Sequence, residues 1–304
     1  MSTEFAPDFF IAGVPKSGTT ALYSYVSAHP QVFMPELKEP HFFSSDLPGL
    51  REVHTETGYR ALFKDVGQRL CGEASASYLY SRAALPAVLA RNPAAQIIVV
   101  LRNPVDAVQA LHQELCYNLT ENVAEFQWAW QLQQVRRDGA AIPRTCGEPS
   151  ILQYRSVYHY AEQLHRLFEC APSPQVLVLL FDDLVQNPRG TYGRVLAFLK
   201  LVDDGRDSFE RVNAAKALRS RTVSRVHRAA PAALGPLHRP LKSAVNRIGI
   251  HPSRIVERLN VAPRARPPLL ASFRHELVSV FDQDIGAVEA LVGQPLPSWR
   301  RVNQ

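Results

Sequence analysis

The residues best suited to chemistry lie near the start of the chain, in Gly13-Val14-Pro15-Lys16-Ser17-Gly18-Thr19-Thr20. Two glycines, one lysine and three hydroxyls stand between an apolar run, Phe9 to Val14, and a segment of helical character, Ala21 to Val26. A buried strand that passes through a glycine turn into a helix presents backbone N–H groups and the positive end of the helix dipole to an anion. The lysine adds a full charge. The chemistry is that of a phosphate or sulfate group, held by Pro15, Lys16, Ser17, Gly18, Thr19 and Thr20.

Spacing decides which kind of anion loop this is. The ATP/GTP-binding pattern GxxxxGK[ST] puts its lysine directly after the second glycine. Here Gly13 and Gly18 keep the spacing, but Thr19 holds the lysine position and Lys16 precedes Gly18. No acidic residue stands directly after the strand at 97–101 to hold the Mg²⁺ that phosphoryl transfer needs. A nucleotide kinase or NTPase is thus the weaker reading.

Several elements must position this loop. Phe9 to Val14 reads as a buried parallel strand, and Thr19 or Thr20 is placed to cap the helix that ends before His29-Pro30. Gln31 to Pro35 is an extended connection into Glu36-Leu37-Lys38-Glu39-Pro40-His41-Phe42-Phe43, a mixture of charges and aromatics suited to folding back over the glycine turn. A short helix is expected over 56–66, a short strand from Arg69, and a helix from Arg82 to Arg91. Ile97-Ile98-Val99-Val100-Leu101 is the strongest strand, and it runs into Arg102-Asn103-Pro104 and a helix to Tyr117. Helices over 121–137 and 154–168, a third buried strand at Gln175 to Phe181, a helix over 189–199 and a closing helix over 269–291 complete the pattern. Strand and helix alternate, which predicts an α/β fold: a P-loop-like, doubly wound, mostly parallel sheet with helices on both faces. Such sheets bind ligands at the carboxyl ends of their strands, where Lys16 and Arg102 would meet.

With 304 residues, 46% of them hydrophobic, the chain is long enough for one large domain over 1–304. The net charge is +6, and between Lys216 and Arg266 the sole acid is Glu257. The basic stretch at about 221–268, rich in proline and without a period, reads as either a flexible insertion or a small helical subdomain. It carries no nucleic-acid-binding motif, so nucleic acid is not an expected partner. No apolar run reaches the ~20 residues of a membrane span. Cys71, Cys116, Cys146 and Cys170 form no CxxC pair, which fits a reducing, cytoplasmic setting and no structural metal.

At this level of detail a family likeness emerges. Pro15-Lys16-Ser17-Gly18-Thr19-Thr20 followed by His29-Pro30 resembles the 5′-phosphosulfate loop of the sulfotransferases, which use 3′-phosphoadenosine 5′-phosphosulfate (PAPS) as donor. Glu39-Pro40-His41-Phe42-Phe43 resembles the acidic-aromatic segment of the branch containing bacterial enzymes and heparan sulfate sulfotransferases. Leu101-Arg102-Asn103-Pro104-Val105-Asp106 is similar to the family's 3′-phosphate motif, and Asn213 through Lys216 to Arg219-Ser220 to its later cofactor loop. Phe281 through Asp284-Ile285 to Leu296 and Trp299 is similar to its closing helix. Five motifs in register cover nearly the whole chain.

The resemblance implies in-line attack of an acceptor hydroxyl or amine on the sulfur of PAPS, releasing adenosine 3′,5′-bisphosphate, with no metal. It assigns catalysis to Lys16 and Glu39, with His41 as a second candidate base, and the 3′-phosphate to Arg102, Arg219 and Ser220 with help from Lys216. Plainer roles compete: Glu39 pairing with Lys38, His41 packing among aromatics, His29 closing the helix before Pro30, His112 as an ordinary helix residue, Trp128 and Trp130 as core or pocket wall. The chain departs from the family pattern at Ala74, Ala107 and Ala110, where relatives carry lysine, arginine and serine. Each hydrogen bond so lost to a charged group is worth about 1.5–3 kcal/mol. These departures support an alternative, a non-catalytic relative that binds PAPS or its product. The expected acceptor is a small molecule, a carbohydrate or a lipid, and oligomeric state has no sequence signature here.

Overall fold

The computed structural model describes residues 5–210, 216–218, 261–263 and 268–302. Its centre is a five-stranded sheet in the order β2-β3-β1-β4-β5, formed by Val32–Phe33 (β2), Leu70–Ala74 (β3), Phe9–Gly13 (β1), Gln96–Leu101 (β4) and Val176–Leu180 (β5). Every pairing in it is parallel. All five residues of β1 are buried, as a strand with both faces covered requires. β2 lies within the stretch expected as an extended connection and pairs Val32 with Leu70 and Phe33 with Cys71.

Alternation along the strands divides the apolar residues between two cores. Phe9, Ile11, Ile98 and Val100 face one side with Leu22, Tyr25, Val26, Tyr192 and Val195. The latter come from helices Thr19–Ser27 (α1) and Pro188–Phe198 (α10). Phe10, Ala12, Ile97, Val99 and Leu101 face the other side. There they meet Ala84–Arg91 (α3), Pro104–Tyr117 (α4), Tyr160–Cys170 (α8) and Ala271–Val292 (α11). The doubly wound expectation is met. The chain lays β3 on one side of β1 and β4 on the other, so the winding reverses next to β1, the place where open α/β sheets form a ligand crevice.

Several helices are shorter than the periodicity predicts. The helix expected over 56–66 is Glu56–Ala61 (α2), capped by the Thr55 hydroxyl, which accepts the Gly58 N–H at 3.1 Å. The 121–137 helix is replaced by Phe126–Gln131 (α5) and Gln133–Arg137 (α6). Glu121 accounts for the lost turn: its Oε1 accepts the N–H groups of Asn122 and Val123 at 2.8 Å, a local bond that competes with helix. The same carboxylate holds the buried Arg136 through bonds of 2.6 and 2.8 Å and accepts Tyr154 Oη at 2.7 Å. The helix expected over 154–168 breaks into Tyr154–Val157 (α7) and α8. Asp284 of α11 receives the N–H groups of Tyr160 and Ala161 at 3.0 and 2.9 Å, so α8 takes its cap from a distant helix. Phe181–Gln186 (α9) follows β5. Lys216–Leu218 (β6) and Val261–Pro263 (β7) pair antiparallel, which brings the two ends of the basic segment together. The remainder of the segment from 221 to 268 lies largely outside the described residues.

Candidate active site

The anion loop sits where the sequence puts it, between β1 and α1. Val14 N–H bonds to Val100 O at 3.0 Å and Ser17 N–H to Val14 O at 3.3 Å, so the turn is pinned to β4, the strand that leads into Arg102. Lys16 and Gly18 both have positive φ, 63° and 84°. Gly18 needs this freedom: it is the N-cap of α1 in left-handed geometry, and a Cβ there would lie 2.8 Å from Leu184 Cδ2 and 3.1 Å from Phe181 Cδ2. The cap expected from Thr19 or Thr20 is therefore corrected. Gly18 holds the cap position without any side-chain bond, and the first-turn N–H groups keep their inherent lack of an intrahelical partner.

Arg102 joins this loop directly. Its Nη1 donates to Lys16 O at 2.9 Å, and its guanidinium lies over the Phe181 ring with Cζ 4.4 Å from the centroid. Two polar atoms here, Ser17 Oγ and Arg102 Nε, are buried without a hydrogen-bond partner among the described residues. Uncompensated buried donors are costly, so such a pair beside a dipole-bearing helix end suits an anion. Lys16 Nζ pairs with Glu114 of α4, and both side chains are about one-third exposed. Exposed pairs of this kind contribute only about 0–1 kcal/mol, so the ammonium can turn to a bound anion at little cost.

Tyr158 and Tyr160 buttress the loop from behind. Tyr158 Oη donates to Pro15 O and Tyr160 Oη to Arg102 O, both at 3.0 Å. Burial, with the nearby Tyr158 and Asp284, pushes the Tyr160 phenol well above its ordinary range, so it stays a donor. Sequence reasoning missed these two tyrosines, Glu114 and Phe181. The tyrosine-dense run Tyr154 to Tyr160 was the available signal, since a buried phenol demands a partner.

The acidic-aromatic segment folds beside the loop. Glu39 N–H bonds to Ala74 O at 2.9 Å, which ties the segment to the end of β3. Lys38 Nζ pairs with Glu39 Oε1, and His41 Nε2 lies 3.8 Å from Glu39 Oε2. Protein crowds the Glu39 carboxylate, yet its side chain remains 41% exposed, so it is reachable. Burial pulls its pKa up, but the nearby His41 imidazole and the charge of Lys38 prevail and hold it down to about 2. His41 is buried and its Nδ1 has no partner among the described residues. Both plainer expectations thus hold geometrically: Glu39 pairs with Lys38, and His41 packs edge-on to Tyr78. The structure also brings the two side chains together, as the catalytic expectation needs.

Other expected positions are resolved individually. His29 Nε2 lies 2.9 Å from Val202 O and its Nδ1 accepts Gln31 N–H, while His112 Nε2 lies 2.9 Å from Val123 O, which are structural roles. Trp130 is buried in the core whereas Trp128 is exposed. Lys216 lies in β6, where only its backbone is described, and Arg219 and Ser220 lie outside the described residues. Among the described residues there is no cluster of metal-ligating side chains, and no helix is long and apolar enough to cross a membrane.

Comparison with known proteins gives the chain's family. Residues 6–226 match the sulfotransferase domain model. The chain belongs to the sulfotransferase enzyme family. A crystal structure of a sulfotransferase from Alicyclobacillus acidocaldarius superposes with a TM-score of 0.69 at 25% identity, covering 98% of this chain and all of that one. Human heparan sulfate glucosamine 3-O-sulfotransferase 6 is 30% identical over 198 residues, 64% of this chain and 52% of that protein. Mouse carbohydrate sulfotransferase 15 is 28% identical over 248 residues, covering 64% and 44%. The chain spans about half the length of these curated relatives.

Proposed function

We propose that the protein moves the sulfuryl group of PAPS to a hydroxyl or amine of a small-molecule or carbohydrate acceptor. The observation that carries this reading is the juxtaposition of Lys16, the uncapped α1 N-terminus and Arg102 at the sheet's switch point, with Glu39 and His41 alongside. PAPS, when bound, supplies the sulfuryl group and a phosphate leaving group. The residues present fit it. The Ser17 to Thr20 backbone and Lys16 would hold the 5′ end, and the unpaired Arg102 Nε marks a guanidinium with donors to spare for the 3′-phosphate. The carbohydrate class draws on the names of the curated relatives.

Lys16 neutralises charge that builds on the leaving oxygen, a task that preorganised cations perform best in a site closed to water. Glu39, ionised at neutral pH, accepts a hydrogen bond from the acceptor group. A carboxylate with so low a pKa is a weak base towards a free hydroxyl. It takes the proton late, once bond formation to sulfur has made that hydroxyl acidic. His41 flanks the carboxylate at Oε2, and Lys38, paired with Oε1, keeps it charged. Tyr158 holds the Pro15 carbonyl of the loop, and Tyr160 the Arg102 carbonyl beside it.

The decisive measurement is transfer of radiolabelled sulfate from PAPS to a panel of desulfated glycosaminoglycan oligosaccharides, glycolipids and simple phenols. Lys16→Ala and Glu39→Gln should each lower turnover by about 10²–10⁴-fold, the usual contribution of a charge stabiliser or a positioned base. Tight binding of adenosine 3′,5′-bisphosphate with no turnover on any acceptor would instead favour the non-catalytic reading.

A further inference from the structure

Behind the Glu39–His41 pair lies a carboxylate that the transfer chemistry does not use. Glu73 is the fourth residue of β3, wholly buried, and paired in register with Phe10 of β1. Among the described residues no cation forms an ion pair with it. Three hydroxyls surround it instead: Tyr59 Oη and Tyr78 Oη donate to Oε2 at 2.6 and 3.0 Å, and Ser75 Oγ donates to Oε1 at 2.6 Å.

The direction of these bonds matters. A hydroxyl has one proton, and once that is committed its lone pairs are aimed as well. Ser75 Oγ accepts the His41 N–H at 3.1 Å, and Tyr78 Oη accepts the Phe43 N–H at 3.3 Å. Glu39 N–H bonds to Ala74 O, the residue next to Glu73. Alternate N–H groups of the 39–43 segment are thus tied to the end of β3, two of them through hydroxyls whose orientation Glu73 sets. This segment needs such holding. Glu39 and His41 both adopt left-handed backbone, φ 62° and 48°, which non-glycine residues keep only where their surroundings over-determine it.

We infer that Glu73 is a positioning residue for the Glu39–His41 pair, acting through the Ser75 and Tyr78 hydroxyls without itself meeting either substrate. The role rests on the proposed function for what the pair does, but the placement of the pair can be read separately. A fully buried carboxylate with no counter-charge is a costly device for stability alone, since well-packed apolar side chains would serve a core better. Its value lies in accepting three hydroxyl protons at once, which neither an amide nor a methyl group can do.

The test uses the full chain and two variants. Glu73→Gln keeps the shape but leaves one oxygen to receive three donors, and Ser75→Ala removes the acceptor of the His41 N–H together with one of those three donors. The milder second variant answers the question should the first fail to fold. Each should lower kcat for sulfate transfer by about ten- to a hundredfold, the effect of displacing a reactive group by around an ångström. Affinity for adenosine 3′,5′-bisphosphate by calorimetry should stay within about twofold, and the double variant should be no worse than Glu73→Gln, as expected of residues acting in one chain. In parallel, the imidazole nitrogen resonances of His41 should move in both variants. A fall in kcat and nucleotide affinity together, or an unmoved His41 resonance in Ser75→Ala, overturns the inference. Were the wild type to transfer no sulfate while the resonance still moved, the functional reading would fail and the positioning would stand.

Discussion

Arg102 offers the sharpest test of donor recognition, because two roles can be separated in one residue. Its Nη1 supports the Lys16 carbonyl at 2.9 Å, while its Nε has no partner among the described residues. Arg102→Ala removes both the loop support and the donors proposed for the 3′-phosphate. A charge-assisted bond is worth about 1.5–3 kcal/mol, and stacking on Phe181 at 4.4 Å adds about 0.5–1 kcal/mol towards holding the guanidinium in place. Affinity for adenosine 3′,5′-bisphosphate should therefore fall by about ten- to several-hundredfold, since 1.4 kcal/mol is a factor of ten. Loss of loop support alone would weaken every 5′-phosphorylated nucleotide equally. The assay is thus a pair of titrations in wild type and variant, with adenosine 3′,5′-bisphosphate and with adenosine 5′-monophosphate, which lacks the 3′-phosphate. The preference for the bisphosphate should largely disappear in Arg102→Ala. An unchanged ratio of the two affinities would refute the 3′-phosphate assignment, whatever happened to either affinity alone.

Two other outcomes follow from the same geometry. Gly18→Ala places a Cβ 2.8 Å from Leu184 Cδ2 at φ 84°, where an L-residue costs about 1–2 kcal/mol in backbone energy alone; the melting temperature should drop and nucleotide binding be lost, and a fully stable, nucleotide-binding variant would show the turn to be more yielding than its contacts imply. Glu39 is held below its ordinary 4.5, at about 2, so its contribution to stability is present above the ordinary value and lost as pH falls from there towards about 2. The stability difference between wild type and Glu39→Gln, measured by urea unfolding, should shrink across that window; a constant difference would mean that Lys38 and His41 do not favour the ionised form.

Strands β1, β4 and β5 were legible because they are nearly unbroken apolar runs, whereas the two-residue β2 read only as an extended connection; the anion loop was legible because glycine, lysine and threonine at fixed spacing have few other uses. Boundaries were less legible where a distant carboxylate intervenes. Nothing within 154–168 announces that α8 begins at Tyr160, since Asp284, far along the chain, provides its cap. Glu121 similarly ends a helix that periodicity would extend, through its own local bonds. The candidate site shows the same division. Lys16, Glu39, His41 and Arg102 stand out by type and motif, whereas Tyr158, Tyr160 and Glu73 act through hydrogen bonds formed only when separate strands and helices meet.

The departures at Ala107 and Ala110 now acquire a physical meaning. Ala107 is fully buried within the core on the α4 side of the sheet, and Ala110 is only 3% exposed. An arginine at position 107 would have to carry its charge out of a packed apolar environment, where overpacking is itself destabilising. Position 107 is thus a packing site in this chain, and its missing guanidinium is not a defect in an otherwise open cleft. Position 110 lacks a hydroxyl outright. Of the groups that the family resemblance implies for a 3′-phosphate on this helix and the strand before it, Arg102 remains. Under the proposed function its donors would carry a larger share of the discrimination between adenosine 3′,5′-bisphosphate and adenosine 5′-monophosphate, so its removal should erase that preference instead of trimming it. Restoring Ala110→Ser in the Arg102→Ala background should recover little, because a neutral hydroxyl contributes about 1 kcal/mol against the 1.5–3 kcal/mol of a charged donor.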